Sequence, residues 1–180
     1  KLVGVMRAMI THGKSTDGHF RYIGFNMRLT GMQAAFGLAQ IASFWKRNAI
    51  KLEIYNRYQT RILNELPKNL VMVWEPPSTP HLFSIRIADT NLRDRILAQK
   101  DFDTRLLYPG FRNEVYSDDF HNKIDVGEYS KYYEITERYE KHIVSLPFHA
   151  NMTLDDVYYV VNHLKLLFEQ HLSDKLPHVP

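Results

Sequence analysis

The sequence predicts an α/β chain in which one long helix leads into a small sheet layer covered by helices. Three observations carry the prediction. Apolar residues recur at helical spacing from Thr30 to Leu66, a longer run than most globular helices need. Short β-prone runs follow at Leu70 to Trp74, Leu82 to Ile87, Thr104 to Tyr108 and Ile143 to Leu146. Helical patterns alternate with the later runs, and the order strand, strand, helix, strand, helix, strand, helix calls for a sheet with helices packed on it.

Residues 1–12 place Leu2, Val5, Met6, Met9 and Ile10 at helical spacing, and Gly13 stops the pattern. No capping residue precedes this helix, so the chain is expected to open inside an element of a longer protein. Residues 14–29 form a polar and aromatic loop containing Gly18 and Gly24. Thr30 with Gln33 makes a Thr-x-x-Gln capping box, which starts the long helix at Thr30 and leaves Asn26 and Arg28 on the loop before it. The helical pattern passes Ala34, Leu38, Ile41 and Trp45, meets a candidate break near Asn48, and continues through Leu52, Tyr55 and Ile62 to Pro67. About 36 residues at 1.5 Å each would span roughly 54 Å, so such a helix connects two bodies. Its Ala- and Gly-rich first half is expected to pack on a large domain outside this sequence or on a partner subunit. Trp45 and Trp74 are expected to be packing residues.

The first β run is halted by Pro76 and Pro77, a helix is expected from Leu92 to Ala98, and Pro109 closes the third run. An irregular loop over 110–128 and a helix over 129–142 precede the run that Pro147 closes. Thr153, with Asp155 and Asp156 in the first turn, starts the last helix, whose apolar face runs from Val157 through Leu164 and Leu167 to Leu172. The tail is expected to fray from Ser173. The domain reading is therefore 1–47, 48–67 as a connecting helix, 68–172 as a small α/β domain, and 173–180 as a tail.

Composition narrows the function classes. The chain has 180 residues, 44% hydrophobic and 13% aromatic, enough to bury a core and too many for a disordered chain. It lacks an apolar run of about 18 residues and a signal-peptide pattern, so neither a membrane segment nor secretion is expected. With no cysteine it can form neither a disulfide nor a thiolate nucleophile, which fits a cytoplasmic protein. The 23 basic and 20 acidic residues are interspersed, and the densest basic cluster, Arg86 with Arg93 and Arg95, is broken by Asp89 and Asp94. That pattern argues against a nucleic-acid partner. The nine histidines show no metal-pair spacing, and no phosphate-cradling glycine loop or Gly-x-Ser-x-Gly elbow is present. Of the carboxylate pairs, Asp118-Asp119 lies in the irregular loop, while Asp155-Asp156 sits where a helix dipole favours anions.

The chemistry is expected in the loop before the long helix. Gly24-Phe25-Asn26-Met27-Arg28, followed by Gln33-Ala34-Ala35-Phe36-Gly37-Leu38-Ala39-Gln40, resembles the DegT/DnrJ/EryC1/StrS sugar aminotransferases. Met6-Arg7 with Thr11-His12-Gly13 is similar to that family's Leu-Arg-x-x-x-His-Gly segment, and Arg57 to Leu66 to the helix entering its small domain. His81-Leu82-Phe83 is similar to the strand that opens that domain. Phe102 to Arg105 with Tyr108-Pro109 resembles its Gly-Ile-x-Thr-Arg-x-x-Tyr-Pro run, and Ser145-Leu146-Pro147-x-His149 with Met152 to Val157 its closing segment. The matches are short, but they occur in order over nearly the whole chain. Two local departures stand out: Asp101 replaces a glycine, and Gly110-Phe111-Arg112 stands where Pro-x-His is commoner.

The resemblance implies the C-terminal part of an aspartate aminotransferase-like, pyridoxal-phosphate-dependent transferase fold, with a long connecting helix and a small mixed-sheet domain. It implies a homodimer that aminates a nucleotide-linked keto-sugar, with glutamate as donor and pyridoxal phosphate as cofactor. The Schiff-base lysine of the family lies upstream of the segment resembling residues 1–13, so this chain is expected to be inactive alone. A dehydratase-like relative with histidine in place of that lysine, and a dimerising module without cofactor, are the alternatives. By the same resemblance Asn26 crosses a dimer interface to the cofactor phosphate. Arg28, His12, Tyr108 and Arg112 are the candidates for substrate binding. Arg28 has a second reading as an interface ion pair, His12 as an ordinary loop histidine, and Arg112 as a surface arginine.

Overall fold

In chain order the elements are α1 (Leu2–Met9), α2 (Gly31–Glu65), β1 (Val71–Val73), β2 (Phe83–Ile87), α3 (Thr90–Ala98), β3 (Ile143–Leu146) and α4 (Leu154–Asp174). The computed structural model describes residues 2–106, 135 and 138–175. They fall into two compact units, Lys1–Trp45 and Lys46–Pro180, and α2 contributes residues to both. The loop expected over 110–128 lies outside the described residues. So does most of the helix expected over 129–142, of which Ile135 and residues 138–140 are described and helical.

Helix α2 starts as its sequence dictates. The Gln33 side chain accepts from the Thr30 backbone N–H at 2.9 Å, and Thr30 Oγ1 accepts from the Gln33 N–H at 3.3 Å, so the box satisfies donors that have no partner inside the helix. The expected break at Asn48 does not occur. Asn48 is buried and its Nδ2 donates to the Ser78 carbonyl at 3.0 Å, so the amide is spent on a distant partner instead of competing for its own backbone.

The second unit carries the core. Its sheet has the order β1-β2-β3, and both pairings are antiparallel, so the sheet expected to be mixed is antiparallel in all its described strands. The strand expected from Thr104 reduces, among the described residues, to one bridge between Arg105 and Ser145. Alternation along β2 sets the faces. Phe83, Ile85 and Ile87 point into the core opposite Leu146, Val144 and Val71, while Ser84 and Ser145 pair hydroxyl to hydroxyl at 2.8 Å on the other side. Ile54, Tyr58 and Ile62 of α2 pack against this face with Leu92 and Ile96 of α3 and Val157, Val161 and Leu164 of α4. Tyr55 and Gln59 donate to the Trp74 carbonyl at 3.1 and 3.2 Å, which stitches the end of β1 to α2. Arg61 is buried but fully employed: it forks onto Glu65 at 2.6 Å and also reaches Asn162 and the Tyr158 carbonyl.

Helix α4 begins with a capping box between Thr153 and Asp156, which engages the Asp156 carboxylate in structure. Its buried face ends on His171 instead of the expected Leu172, which is 42% exposed. The cause lies across the fold, where Asp89 caps α3 through the Asn91 and Leu92 N–H groups. The same carboxylate faces His171 Nε2 at 3.3 Å and pairs with Lys175. Asp174 is likewise held by Arg95 at 2.7 Å, so the chain is pinned past the expected fray at Ser173. The Lys175 ammonium, with the Leu92 N–H, holds the Asp89 carboxyl well below its ordinary 3.8. The folded state therefore keeps this charge in acid, and the stabilisation is complete above that ordinary value and lost as the pH falls below it. Replacing Asp89 by Ala should cost about 1 kcal/mol at neutral pH, the usual loss for a helix cap, and should flatten the acid limb of a urea-unfolding series.

The first unit is organised differently. Beyond α1 the chain turns through Thr11 to Gly13 and pairs with the segment from Gly24 to Met27. Ala8 is the one hydrophobic side chain buried among its described residues. Ile23 is 90% exposed, Met32 85% and Trp45 74%, so among the described residues Trp45, expected to be a packing residue, is not buried. Trp74, in the second unit, is also partly exposed.

Candidate functional site

The loop that carries Asn26 is fixed by two glycines in close backbone contact. Phe25 N–H donates to Met9 O at 2.7 Å, His12 N–H to Phe25 O at 3.0 Å, and Met27 N–H to Ile10 O at 3.0 Å. This ladder sets Asn26 opposite Thr11, directly beside His12. Side chains would prevent it. A Cβ on Gly13, which has φ 83°, would stand 1.7 Å from Tyr22 O, and a Cβ on Gly24 would stand 2.2 Å from Gly13 N. Gly13 N–H also donates to Ala8 O at 2.8 Å, so the glycine that stops α1 also builds the loop.

Within this frame the candidate side chains are exposed. Arg28 Nε donates to Asn26 Oδ1 at 3.3 Å, and among the described residues the Asn26 Nδ2 makes no hydrogen bond. His12 sits at φ 58°, a left-handed conformation that histidine tolerates better than most residues. The loop tip is closed by Asp17, which accepts from Ser15, from the His19 N–H at 3.2 Å and from Arg21 at 2.5 Å. Ser15 and Arg21 together hold the Asp17 carboxyl down to about 2. The loop thus offers an amide, a guanidinium and an imidazole on one short ladder, a set of groups that donates to anions.

Asn26 and Arg28 are therefore brought together, and the ladder sets the backbone of His12 on the neighbouring segment, opposite Phe25. Tyr108 and Arg112 lie outside the described residues. The basic cluster of the sequence is dispersed: Arg93 pairs with Asp94 at 2.5 Å, Arg95 with Asp174, and Arg86 lies over the Tyr139 ring. A cavity of about 270 Å³ in the second unit is lined by Phe102, His149, Met152, Asp156 and Tyr159 among others, and by none of the candidate site residues. Among the described residues no helix is long and apolar enough to cross a membrane. The bond between Arg28 and Asn26 was not anticipated, although two such residues separated by one position stand on the same side of an extended segment.

The model of the DegT/DnrJ/EryC1/StrS aminotransferase family matches residues 1–165. No curated protein matches the chain. Among solved structures, the chain is similar to Helicobacter pylori PseC, an aminotransferase involved in the biosynthesis of pseudoaminic acid, with TM-score 0.73 and 19% identity over 92% of this chain and 45% of that one. It is similar to S. venezuelae DesV in complex with a ketimine intermediate, with TM-score 0.69 and 22% identity over 93% of this chain and 44% of that one. It is also similar to ntda from Bacillus subtilis with bound cofactor PMP, with TM-score 0.71 and 21% identity over 91% of this chain and 38% of that one. The chain spans less than half the length of each of these structures.

Proposed function

Because the chain belongs to the DegT/DnrJ/EryC1/StrS aminotransferase family, we propose that it works as the C-terminal portion of a pyridoxal-phosphate-dependent aminotransferase acting on a nucleotide-linked keto-sugar, with glutamate as amino donor. The first unit, together with residues 46 and 47, would be the end of the large cofactor-binding domain, residues 48–67 the connecting helix, and residues 68–172 the small domain. In this reading the cofactor-bearing lysine lies upstream, and the chain is inactive alone.

The observation that carries the proposal is the first unit itself. A body with one buried hydrophobic side chain and exposed Ile23, Met32 and Trp45 is incomplete, and exposed apolar surface of that kind marks an interaction face. We assign that face to the rest of the large domain and to a second copy in a homodimer. Asn26 would then donate Nδ2 to the cofactor phosphate of the neighbouring subunit. The donor set supports the fit: with Oδ1 already engaged by Arg28, the loop presents N–H groups to an oxyanion. Pyridoxal phosphate, when bound, supplies the aldehyde and the electron-accepting ring that amine transfer requires. His12 and Arg28 are assigned to the sugar nucleotide, and so, on their motif alone, are Tyr108 and Arg112.

In the full-length dimer, Asn26→Ala should weaken pyridoxal phosphate binding about tenfold, the worth of one hydrogen bond to a charged group, in a titration followed by the absorbance of the bound cofactor. Unchanged affinity would remove the assignment of Asn26. A full-length protein that develops no such absorbance would favour the dimerising module over the enzyme.

A further inference from the structure

An asparagine amide can present either its oxygen or its nitrogen to a given direction, and the two choices differ in sign toward an anion. The oxygen repels a phosphate; the nitrogen donates to it. Loop geometry alone does not select between them, because the ladder that fixes Asn26 acts on its backbone. The selection comes from Arg28. A guanidinium carries donors and no acceptor, so the amide atom 3.3 Å from its Nε is the oxygen, and Nδ2 occupies the other arm of the amide, away from that contact.

From this geometry we infer that Arg28 is a positioning residue, whose Nε locks the amide flip of Asn26 so that Nδ2 meets an oxyanion. The inference rests on the assignment of Asn26 to a phosphate and goes beyond it, since it gives Arg28 a role that acts through its neighbour. It also gives a reason for the one-residue spacing between them, because two positions along an extended segment bring side chains to one side. Among the described residues the two Nη nitrogens of Arg28 make no hydrogen bond, so the lock uses one edge of the guanidinium and leaves the other for a substrate.

Charge and orientation can be separated by one substitution. Glutamine carries its amide nitrogen at the same position along the side chain as the Nε of arginine, so Arg28→Gln keeps a donor within reach of Asn26 Oδ1 and removes the charge. Arg28→Met keeps the side chain out to the position of Nε and removes both. In the full-length dimer, pyridoxal phosphate dissociation constants would be measured for Arg28→Met, Arg28→Gln, Asn26→Ala and the double variant Asn26→Ala with Arg28→Met. Arg28→Met should weaken binding about fivefold to tenfold, the worth of fixing one charge-assisted hydrogen bond. Arg28→Gln should recover most of that loss, and Arg28→Met should add less than twofold in the Asn26→Ala background. Additive effects, or a Gln variant as weak as the Met variant, would mean that Arg28 acts through its own charge and would overturn the inference. An Asn26→Ala variant with unchanged affinity is a different result: it removes the phosphate assignment itself, and the inference with it. Thermal unfolding of each apo dimer identifies a variant that fails to fold, in which case Arg28→Leu takes the place of Arg28→Met.

Discussion

Phe83→Ala is expected to lower the stability of the second unit by about 3–5 kcal/mol, a large share of the stability of an ordinary domain. Phe83 sits on the central strand with no exposed surface, and it is the ring on which others converge. Tyr58 stacks on it at 4.6 Å between centroids, Tyr55 meets it edge-on at 4.7 Å, and Phe148 lies at 6.4 Å. Truncation removes the transfer energy of the ring and leaves a void walled by strands and by α2, which cannot collapse without breaking the register of β2 with β3. The measurement is urea unfolding of the full-length protein. Tyr58→Phe separates packing from polarity at the same place, because it keeps the stacked ring and removes only the hydroxyl that donates to Pro147 O at 3.2 Å. Its cost should stay near 1 kcal/mol. If Phe83→Ala cost no more than Tyr58→Phe, the ring cluster would not be what holds α2 on the sheet.

Much of this architecture is legible in the sequence wherever the determinant is local. The Thr30 and Gln33 box, the β-prone run that becomes β2, and the Thr153 start of α4 depend on residues within a few positions of one another, and all three form where they are expected. The misreadings have distant causes. Asn48 looks like a helix break because its partner, Ser78, lies thirty positions away. His171 displaces Leu172 from the buried face because Asp89, on another element, faces it. The sheet direction follows from which strands meet, and spacing along one strand carries no information about that.

The candidate site divides along the same line. Its residue types, and their place on the loop before α2, can be read from the motif. The frame cannot, because a glycine that stops a helix and a glycine that lets two backbones touch look alike in a string of letters. Gly13 does both. The exposed apolar side chains of the first unit follow a similar logic. Apolar periodicity in residues 2–45 announces burial, and what would cover Ile23, Met32 and Trp45 in the proposed assembly is not written in those residues.

Gly13→Ala in the full-length dimer should therefore weaken pyridoxal phosphate binding about fivefold, most of the loss expected for Asn26→Ala, although residue 13 is not assigned to any cofactor contact. At φ 83° an alanine is strained by about 1–3 kcal/mol, and its Cβ would overlap a backbone oxygen that has no rotamer into which to retreat. Relief requires Gly13 and Tyr22 to separate, which breaks the bonds from the Arg21 and Tyr22 N–H groups to Gly13 O at 3.0 and 3.3 Å. The displacement then passes through His12 N–H on Phe25 O to the segment that carries Asn26. A population in which Asn26 is misplaced nine times in ten, and in that form binds about tenfold more weakly, lowers the apparent affinity about fivefold. Gly24→Ala should act in the same direction, since its Cβ would meet Gly13 N at 2.2 Å. Gly18→Ala is the control that separates strain from contact: Gly18 also has a positive φ, 89°, but the nearest atom to its Cβ is the Lys14 Cε at 3.9 Å, at the far tip of the loop. That variant should bind the cofactor within about twofold of the unaltered protein, as expected for strain that stays local to an exposed turn. If Gly13→Ala behaved like Gly18→Ala, the backbone ladder would not be what positions Asn26 for the proposed phosphate contact.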